Sequence, residues 1–122
     1  MIPKVLIVDD EPTIRSVLFL FLKRLGCSPT AVANGLEAES IIAELQPDLV
    51  LLDIMMPMKD GYETCRKLRQ QGFTRPIILM SSGPTTAMLR RAKECGANDY
   101  FEKPFSMDSL ERFIASISQP QL

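Results

Sequence analysis

Histidine and tryptophan are both absent from this chain of 122 residues. Without histidine it lacks the commonest general base and the commonest zinc ligand, and it cannot itself carry a phosphohistidine. Cysteine occurs three times, as Cys27, Cys65 and Cys95, with no CxxC pair. An odd, widely spaced set argues against a disulfide framework and favours buried or half-buried reduced thiols, as in a cytoplasmic protein. No apolar run approaches the roughly 18 residues that a membrane span needs, and Val17 to Leu22 is far too short. Met1-Ile2-Pro3-Lys4 leads into strand-like sequence without the layout of a signal peptide. Fourteen basic residues against fifteen acidic leave a net charge of -1, with no general attraction to nucleic acid or a membrane surface. No linker, repeat or low-complexity tract interrupts the chain. One domain over residues 1–122 is expected, burying roughly two-thirds of its unfolded surface.

What is present is an alternation. Apolar runs at Lys4–Val8, Ser28–Ala33, Leu49–Leu52, Pro76–Met80 and Asp99–Phe101 read as strands. Between and after them, Thr13–Leu25, Leu36–Leu45, Gly61–Gln71, Thr85–Cys95 and Met107–Ile117 carry helical spacing. The first helix shows it in Ile14, Val17, Leu18, Phe21, Leu22 and Leu25, the second in Leu36, Ile41, Ile42 and Leu45, and the last in Leu110, Phe113, Ile114 and Ile117. Gly26, Gly72 and Gly96 stand just past helix ends, where a left-handed cap is needed, and Asn34-Gly35 and Gln46-Pro47 bracket the second helix. Five β/α pairs with short connections predict an α/β fold, a parallel sheet with helices on both faces.

Chain order places polar groups at the carboxyl ends of the strands, the rim where open α/β sheets bind ligands. Asp9 and Asp10 follow the first strand, Asp53 ends the third, Ser81 follows the fourth, and Lys103-Pro104 follows the fifth. Clustered carboxylates repel one another and favour protonation unless a cation is present. Oxygen ligands without His or Cys suit a hard cation, most simply Mg2+. A lysine and a small hydroxyl beside it suit a phosphoryl group, and a carboxylate can itself be the nucleophile that forms an acyl phosphate. Asp10 also reads as a helix N-cap ahead of Pro12.

Four segments in unbroken order closely resemble the receiver domain of two-component response regulators, from Val5 to about Ile117. They are Val5-Leu6-Ile7-Val8-Asp9-Asp10-Glu11, Asp53-Ile54-Met55-Met56-Pro57-Met58-Lys59-Asp60-Gly61, Pro76-Ile77-Ile78-Leu79-Met80-Ser81-Ser82 and Gly96 through Phe105. The resemblance implies a (βα)5 flavodoxin-like three-layer sandwich with strand order 2-1-3-4-5. It implies that Asp53 accepts a phosphoryl group from the phosphohistidine of a histidine kinase or histidine-phosphotransfer domain. It implies Mg2+ on Asp10, Asp53 and the carbonyl of Met55, with Asp9 acting mainly through water. Lys103 would pair with phosphoryl oxygens, and a cis bond to Pro104 would aim it. Ser81 takes the switch-hydroxyl position and Tyr100 the aromatic switch position, although Tyr100 read by itself is a core residue. The implied consequence is an altered face of fourth helix, fifth strand and fifth helix, which binds a downstream protein or output domain or a second phosphorylated copy. The implied role is a cytoplasmic switch that catalyses only its own phosphorylation and dephosphorylation, with no direct nucleic-acid or membrane contact.

Departures from the family pattern are small. The switch hydroxyl is Ser81 rather than the more frequent threonine. Met55 and Gly83, two residues after Asp53 and Ser81, cannot hold a hydrolytic water, so slow self-hydrolysis is expected. Phe19 and Leu20 widen the apolar arc of the first helix beyond its core stripe, and at least one is expected to be exposed and to meet the histidine-bearing partner. Met55, Met56 and Met58 read as packing, because thioethers want soft ions. The alternative is a receiver-like interaction module working without phosphate, which loss of an acidic residue or the lysine would favour. None is lost. An enzyme on the same fold ranks last, in the absence of a glycine-rich phosphate loop.

Overall fold

The computed structural model describes residues 2–56, 60–103 and 106–118, with positions 117 and 118 as backbone only. The expectations for Pro104 and its cis bond, for Met58 and for the side chain of Ile117 lie outside the described residues. Five strands, β1 (Lys4–Val8), β2 (Ser28–Val32), β3 (Leu49–Asp53), β4 (Ile77–Ser81) and β5 (Asp99–Glu102), alternate with α1 (Pro12–Arg24), α2 (Gly35–Leu45), α3 (Gly61–Gln70), α4 (Thr86–Glu94) and α5 (Met107–Ser118). The strands form one parallel sheet in the order β2-β1-β3-β4-β5, a flavodoxin-like α/β arrangement.

The sheet separates two apolar layers, which is why its inner strands read as unbroken apolar runs. Successive side chains point to opposite faces. Leu6, Val8, Val50, Leu52, Ile77 and Leu79 pack with residues of α2, α3 and α4. Val5, Ile7, Leu49, Leu51, Ile78 and Met80 pack with Leu18 and Leu22 of α1 and Leu110 and Ile114 of α5. Two residues of the expected stripes fall outside these layers. Val17 is 40% exposed at the edge of α1, and Leu36 is 54% exposed in the first turn of α2, off the face that buries Ala38 and Ile42. Three cysteines are free and buried.

Helix ends follow local chemistry. Asn34 caps α2 by accepting the Glu37 N–H at 2.9 Å, and its side-chain amide donates to Glu37 Oε1 at 3.2 Å. Gly26, Gly72 and Gly96 take φ of 84°, 96° and 94°, the left-handed values expected just past α1, α3 and α4. The N-cap of α1 is Glu11 rather than Asp10, with Pro12 in the first turn and no side-chain cap bond.

Arg69 of α3 fastens the end of the sheet away from the acidic rim. Its guanidinium donates to the carbonyls of Gly96, Phe73 and Arg75 and to Oδ1 of Asn98, at 2.7 to 3.0 Å. The same Asn98 oxygen accepts the Ile77 N–H at 2.9 Å, where β4 begins. Arg69→Ala strands four acceptors and is expected to lower stability by about 2 kcal/mol, read from urea unfolding. An unchanged midpoint would reduce the clamp to a surface contact.

Candidate functional site

Each functional group is delivered by the end of a strand. Asp53 is the last residue of β3 and is only 3% exposed, while Asp9, directly after β1, is fully buried. Parallel pairing of β1 with β3 sets Val8 beside Leu52, so the next residue of each strand emerges at the same rim. Asp10 is half-buried beside them, and carboxylate oxygens of Asp9, Asp10 and Asp53 lie within 4.8 Å of one another. Pairing of β4 with β5 sets Ser81 opposite Glu102, and the Lys103 N–H continues the ladder to the Ser81 carbonyl at 2.8 Å. Lys103 is thereby brought to the acids from a position 50 residues beyond Asp53. Its ammonium lies 2.8 Å from Asp9 Oδ2 and 3.3 Å from Asp53 Oδ1.

The backbone holds the acids in place. Asp9 Oδ1 accepts the Glu11 N–H at 3.0 Å, and Asp53 Oδ1 lies 3.3 Å from the Met55 N–H that donates to it. Arg15 of α1 donates to the Asp9 carbonyl at 2.8 Å. Gly61, the first residue of α3, lets that helix press on the end of β3, where a Cβ would stand 2.5 Å from the Asp53 carbonyl oxygen.

Burial pushes the Asp53 carboxyl up to about 6, and the neighbouring charge of Asp9 pushes the same way; Lys103 and the Met55 N–H oppose them. For Lys103, burial works against the charged form, but the hydrogen bond to Asp9 and the charge of Asp53 outweigh it and raise its pKa. One lysine against three carboxylates leaves excess negative charge in a partly dry site. A hard cation with oxygen ligands relieves that excess, so the donor set fits Mg2+.

Ser81 is 3% exposed, and its hydroxyl donates to the Ser82 carbonyl at 3.1 Å. Met55 is 72% exposed at the site mouth. Tyr100 stands in β5 opposite Leu79, half-buried against the layer under α2, α3 and α4. Its hydroxyl is buried and has no hydrogen-bond partner among the described residues. Two grooves flank the acids. One of about 610 Å³ includes Asp10, Met55, Met56, Tyr62, Met88 and Arg91. The other, about 310 Å³, includes Ile14, Val17, Phe21, Ser82 and Lys103.

The structure thus brings Asp9, Asp10, Asp53, Ser81 and Lys103 to one rim, with Met55 beside them and Tyr100 on the neighbouring strand. Sequence reading gave no role to Arg15, Gly61 or Arg91. Arg91 lies 4.0 Å over the Tyr62 ring and 3.9 Å from Asp60 Oδ2. The Asp60-Gly61 pair was a usable signal, since a cap residue followed by glycine marks a helix starting close to other backbone; Arg15 and Arg91 left no comparable mark.

Fold and site define a flavodoxin-like α/β domain with an acidic, lysine-bearing rim. Residues 5–115 match the response regulator receiver domain family, and the chain belongs to that family. It is 37% identical over 107 residues to the response regulator MprA of Mycobacterium sp. (strain KMS), covering 88% of this chain and 46% of that protein. The chain spans about half the length of the curated relatives it matches. Among solved structures it is similar to the receiver domain of the Francisella response regulator 1452, with TM-score 0.87, 31% identity and coverage of 94% and 95% of the two chains. It is also similar to the receiver domain of the sensor histidine kinase PA1611 of Pseudomonas aeruginosa PAO1, with TM-score 0.88, 30% identity and coverage of 98% and 100%. That structure has a magnesium ion coordinated in its active-site cleft. Receiver domains are generally not classical enzymes. No helix of the described residues is long and apolar enough to cross a membrane.

Proposed function

We propose that the chain is a single receiver domain over residues 1–122 that accepts a phosphoryl group on Asp53 from a phosphohistidine and changes its binding face in response. The observation that carries this reading is the Lys103 ammonium bridging Asp9 and Asp53 at a rim with three carboxylates. Asp9, Asp10 and Asp53, with the Met55 carbonyl, would hold Mg2+. The ion supplies charge neutralisation for the transferring phosphoryl group. An Asp53 oxygen attacks phosphorus, the P–N bond breaks, and its electron pair returns to the imidazole of the partner. Lys103, already 3.3 Å from the attacking side chain, pairs with phosphoryl oxygens. The Ser81 hydroxyl leaves the Ser82 carbonyl to donate to one of them. Exposed Met55 and glycine at position 83 give a hydrolytic water no hydrogen-bonding side chain, so the acyl phosphate persists well beyond seconds.

Tyr100 answers the shift of Ser81. A buried phenolic hydroxyl that has no partner among the described residues costs about 1–3 kcal/mol if left unsatisfied, which favours a second ring position in which that group is satisfied. The altered face of α4, β5 and α5 then engages a downstream protein or output domain, or a second copy. The donor is a histidine kinase or histidine-phosphotransfer domain, and the setting is the cytoplasm.

Mass measurement on the intact chain after treatment with a small phosphodonor tests this reading. Gain of one phosphoryl group is expected with Mg2+, and none after chelation. Equal labelling with and without the ion would reject the metal-assisted mechanism, and no labelling with the ion present would favour an interaction module that works without phosphate.

The docking of the histidine-bearing partner is assigned to α1. Leu20 is 59% exposed, while Phe19 is half-buried and packs on the core layer under α1. Leu20→Ala is expected to slow transfer from a protein donor about tenfold, the scale of one good interface contact, and to leave labelling by a small phosphodonor unchanged. Equal slowing with both donors would place the defect in the site and not the interface.

A further inference from the structure

We propose that Arg15 is a positioning residue for the Mg2+ site, acting through the backbone that carries Asp10. The inference rests on the reading above, in which Asp9, Asp10 and Asp53 hold the ion. Of the three acids, Asp10 has the least support of its own. Both oxygens of Asp9 are tied, Oδ1 by the Glu11 N–H at 3.0 Å and Oδ2 by the Lys103 ammonium at 2.8 Å. Asp53 Oδ1 has the Met55 N–H and the same ammonium, each at 3.3 Å. The half-buried Asp10 carboxylate has no hydrogen bond or ion pair among the described residues, so its direction is left to the backbone.

That backbone is braced from α1. The Arg15 guanidinium donates from Nη1 to the Asp9 carbonyl at 2.8 Å. This carbonyl belongs to the peptide plane that ends at the Asp10 nitrogen, and the plane is rigid. Fixing the carbonyl therefore fixes one side of the Asp10 Cα, from which the carboxylate projects. Upstream, the Asp9 N–H is held by the Val32 carbonyl of β2 at 3.2 Å, and the Arg15 N–H donates to the Glu11 carbonyl at 3.0 Å. The first turn of α1 is thus closed onto the end of β1, at the residue before the ligand.

This guanidinium acts on a bound dication in two opposite ways. Its charge, added to that of Lys103, repels the ion, so loss of the charge alone tightens binding. Its hydrogen bond orients a ligand, and partners that orient metal ligands are worth about ten- to a hundredfold in affinity. Water screens the charge of a side chain that is only half-buried, whereas the hydrogen bond acts locally. Orientation therefore outweighs repulsion. The effect falls at the low end of the range because the bond reaches the backbone and not the carboxylate itself. Arg15 also borders a groove with Phe19 and Leu20, so contact with a protein partner is the competing role. That role leaves affinity for the free ion untouched.

The test is Mg2+ titration of the folded, full chain at constant ionic strength, followed by amide NMR with no partner protein present. Arg15→Met keeps the aliphatic stem and removes the guanidinium, and its dissociation constant for Mg2+ is expected to rise about tenfold. Its Asp10 amide signal should already have moved before any ion is added. Arg24→Met removes the same charge from the last turn of α1 and should bind Mg2+ as the wild type does. Should Arg15→Met fail to fold, Arg15→Gln, whose shorter side chain loses the contact, serves instead with the same expectation. Unchanged or tighter binding in the Arg15 variant, with Mg2+ binding intact in the wild type, would overturn the proposal and leave the metal site standing. A wild type that binds no Mg2+ would remove the site and the proposal together.

Discussion

Asp53→Asn is expected to be more stable than the wild type at pH 7 in the presence of a chelator, by about 2–3 kcal/mol, while accepting no phosphoryl group. The basis is the raised carboxyl of Asp53, about 6 in the folded chain against an ordinary 3.8. A displacement of that size corresponds to about 3 kcal/mol at 1.36 kcal/mol per pKa unit. The sign follows from proton binding. Between about pH 4 and pH 6 the folded state holds the Asp53 proton more tightly than the unfolded chain, so stability falls as pH rises through that window and stays lower at pH 7. Asparagine keeps the shape and removes the charge, so the fall due to Asp53 should be missing from its curve across the same window. Lys103, with its pKa raised, contributes in the opposite sense, and its share is lost only in alkali. Urea unfolding at pH 4, 5, 6 and 7 in chelator reads both curves. Parallel curves, or a less stable variant, would mean that Lys103 fully compensates the buried charge. Mg2+ should recover for the wild type much of what the variant gains, because an ion bound only to the folded state stabilises it.

The second large effect is expected at Gly61. A Cβ there meets the Asp53 carbonyl oxygen at 2.5 Å, Ile54 Cα at 2.7 Å and the Asp53 carbonyl carbon at 3.0 Å. All three are backbone atoms at the end of a buried strand, so nothing flexible can yield. Gly61→Ala must push α3 away from β3 or displace Asp53 itself. Overpacking of this kind costs about 1–3 kcal/mol, and a shift of about 1 Å in a reacting group costs on the order of a hundredfold in rate. Lower stability and phosphorylation slowed at least tenfold are expected together. Gly35 is the control, since a Cβ there meets the side chain of Thr64 and not the backbone that carries Asp53. Gly35→Ala should lose some stability and keep near-normal phosphorylation. If the two variants behaved alike, the close approach of α3 to the Asp53 backbone would not matter to the chemistry.

Much of this was legible in the sequence for a definite reason. In a sheet buried on both faces, a strand is an unbroken apolar run, and a charged residue at its end is conspicuous. Asp9, Asp53 and Lys103 stood out that way, and the structure joins them within 3.3 Å. Strand order came from the family likeness, because periodicity fixes which residues are inside but not which strand lies beside which. Side-chain destinations were less readable. Val17 and Leu36 fit a helical stripe yet lie at its edge, where a spacing of three or four residues cannot separate core from rim. Asp10 read as the N-cap of α1, but Glu11 takes that position, and the carboxylate of Asp10 lies in the acidic cluster instead. Contacts between residues far apart in the chain, such as Cys65 with Cys95 or Arg69 with Asn98, leave no local pattern at all. The hydroxyl of Tyr100, without a partner among the described residues, belongs to the same class, since only the packed structure shows what surrounds it.

The account centres on an acyl phosphate at one carboxylate, and borohydride trapping reads that bond directly. The chain is treated with a small phosphodonor and Mg2+, reduced with borohydride, digested and sequenced by mass spectrometry. Reduction turns a phosphorylated aspartate into homoserine and leaves free carboxylates untouched. Homoserine at residue 53, and at no other acid, is the expected result. Homoserine at Asp9 or Asp10, or phosphate retained on Ser81 with Asp53 unchanged, would contradict the assignment of Asp53 as the acceptor.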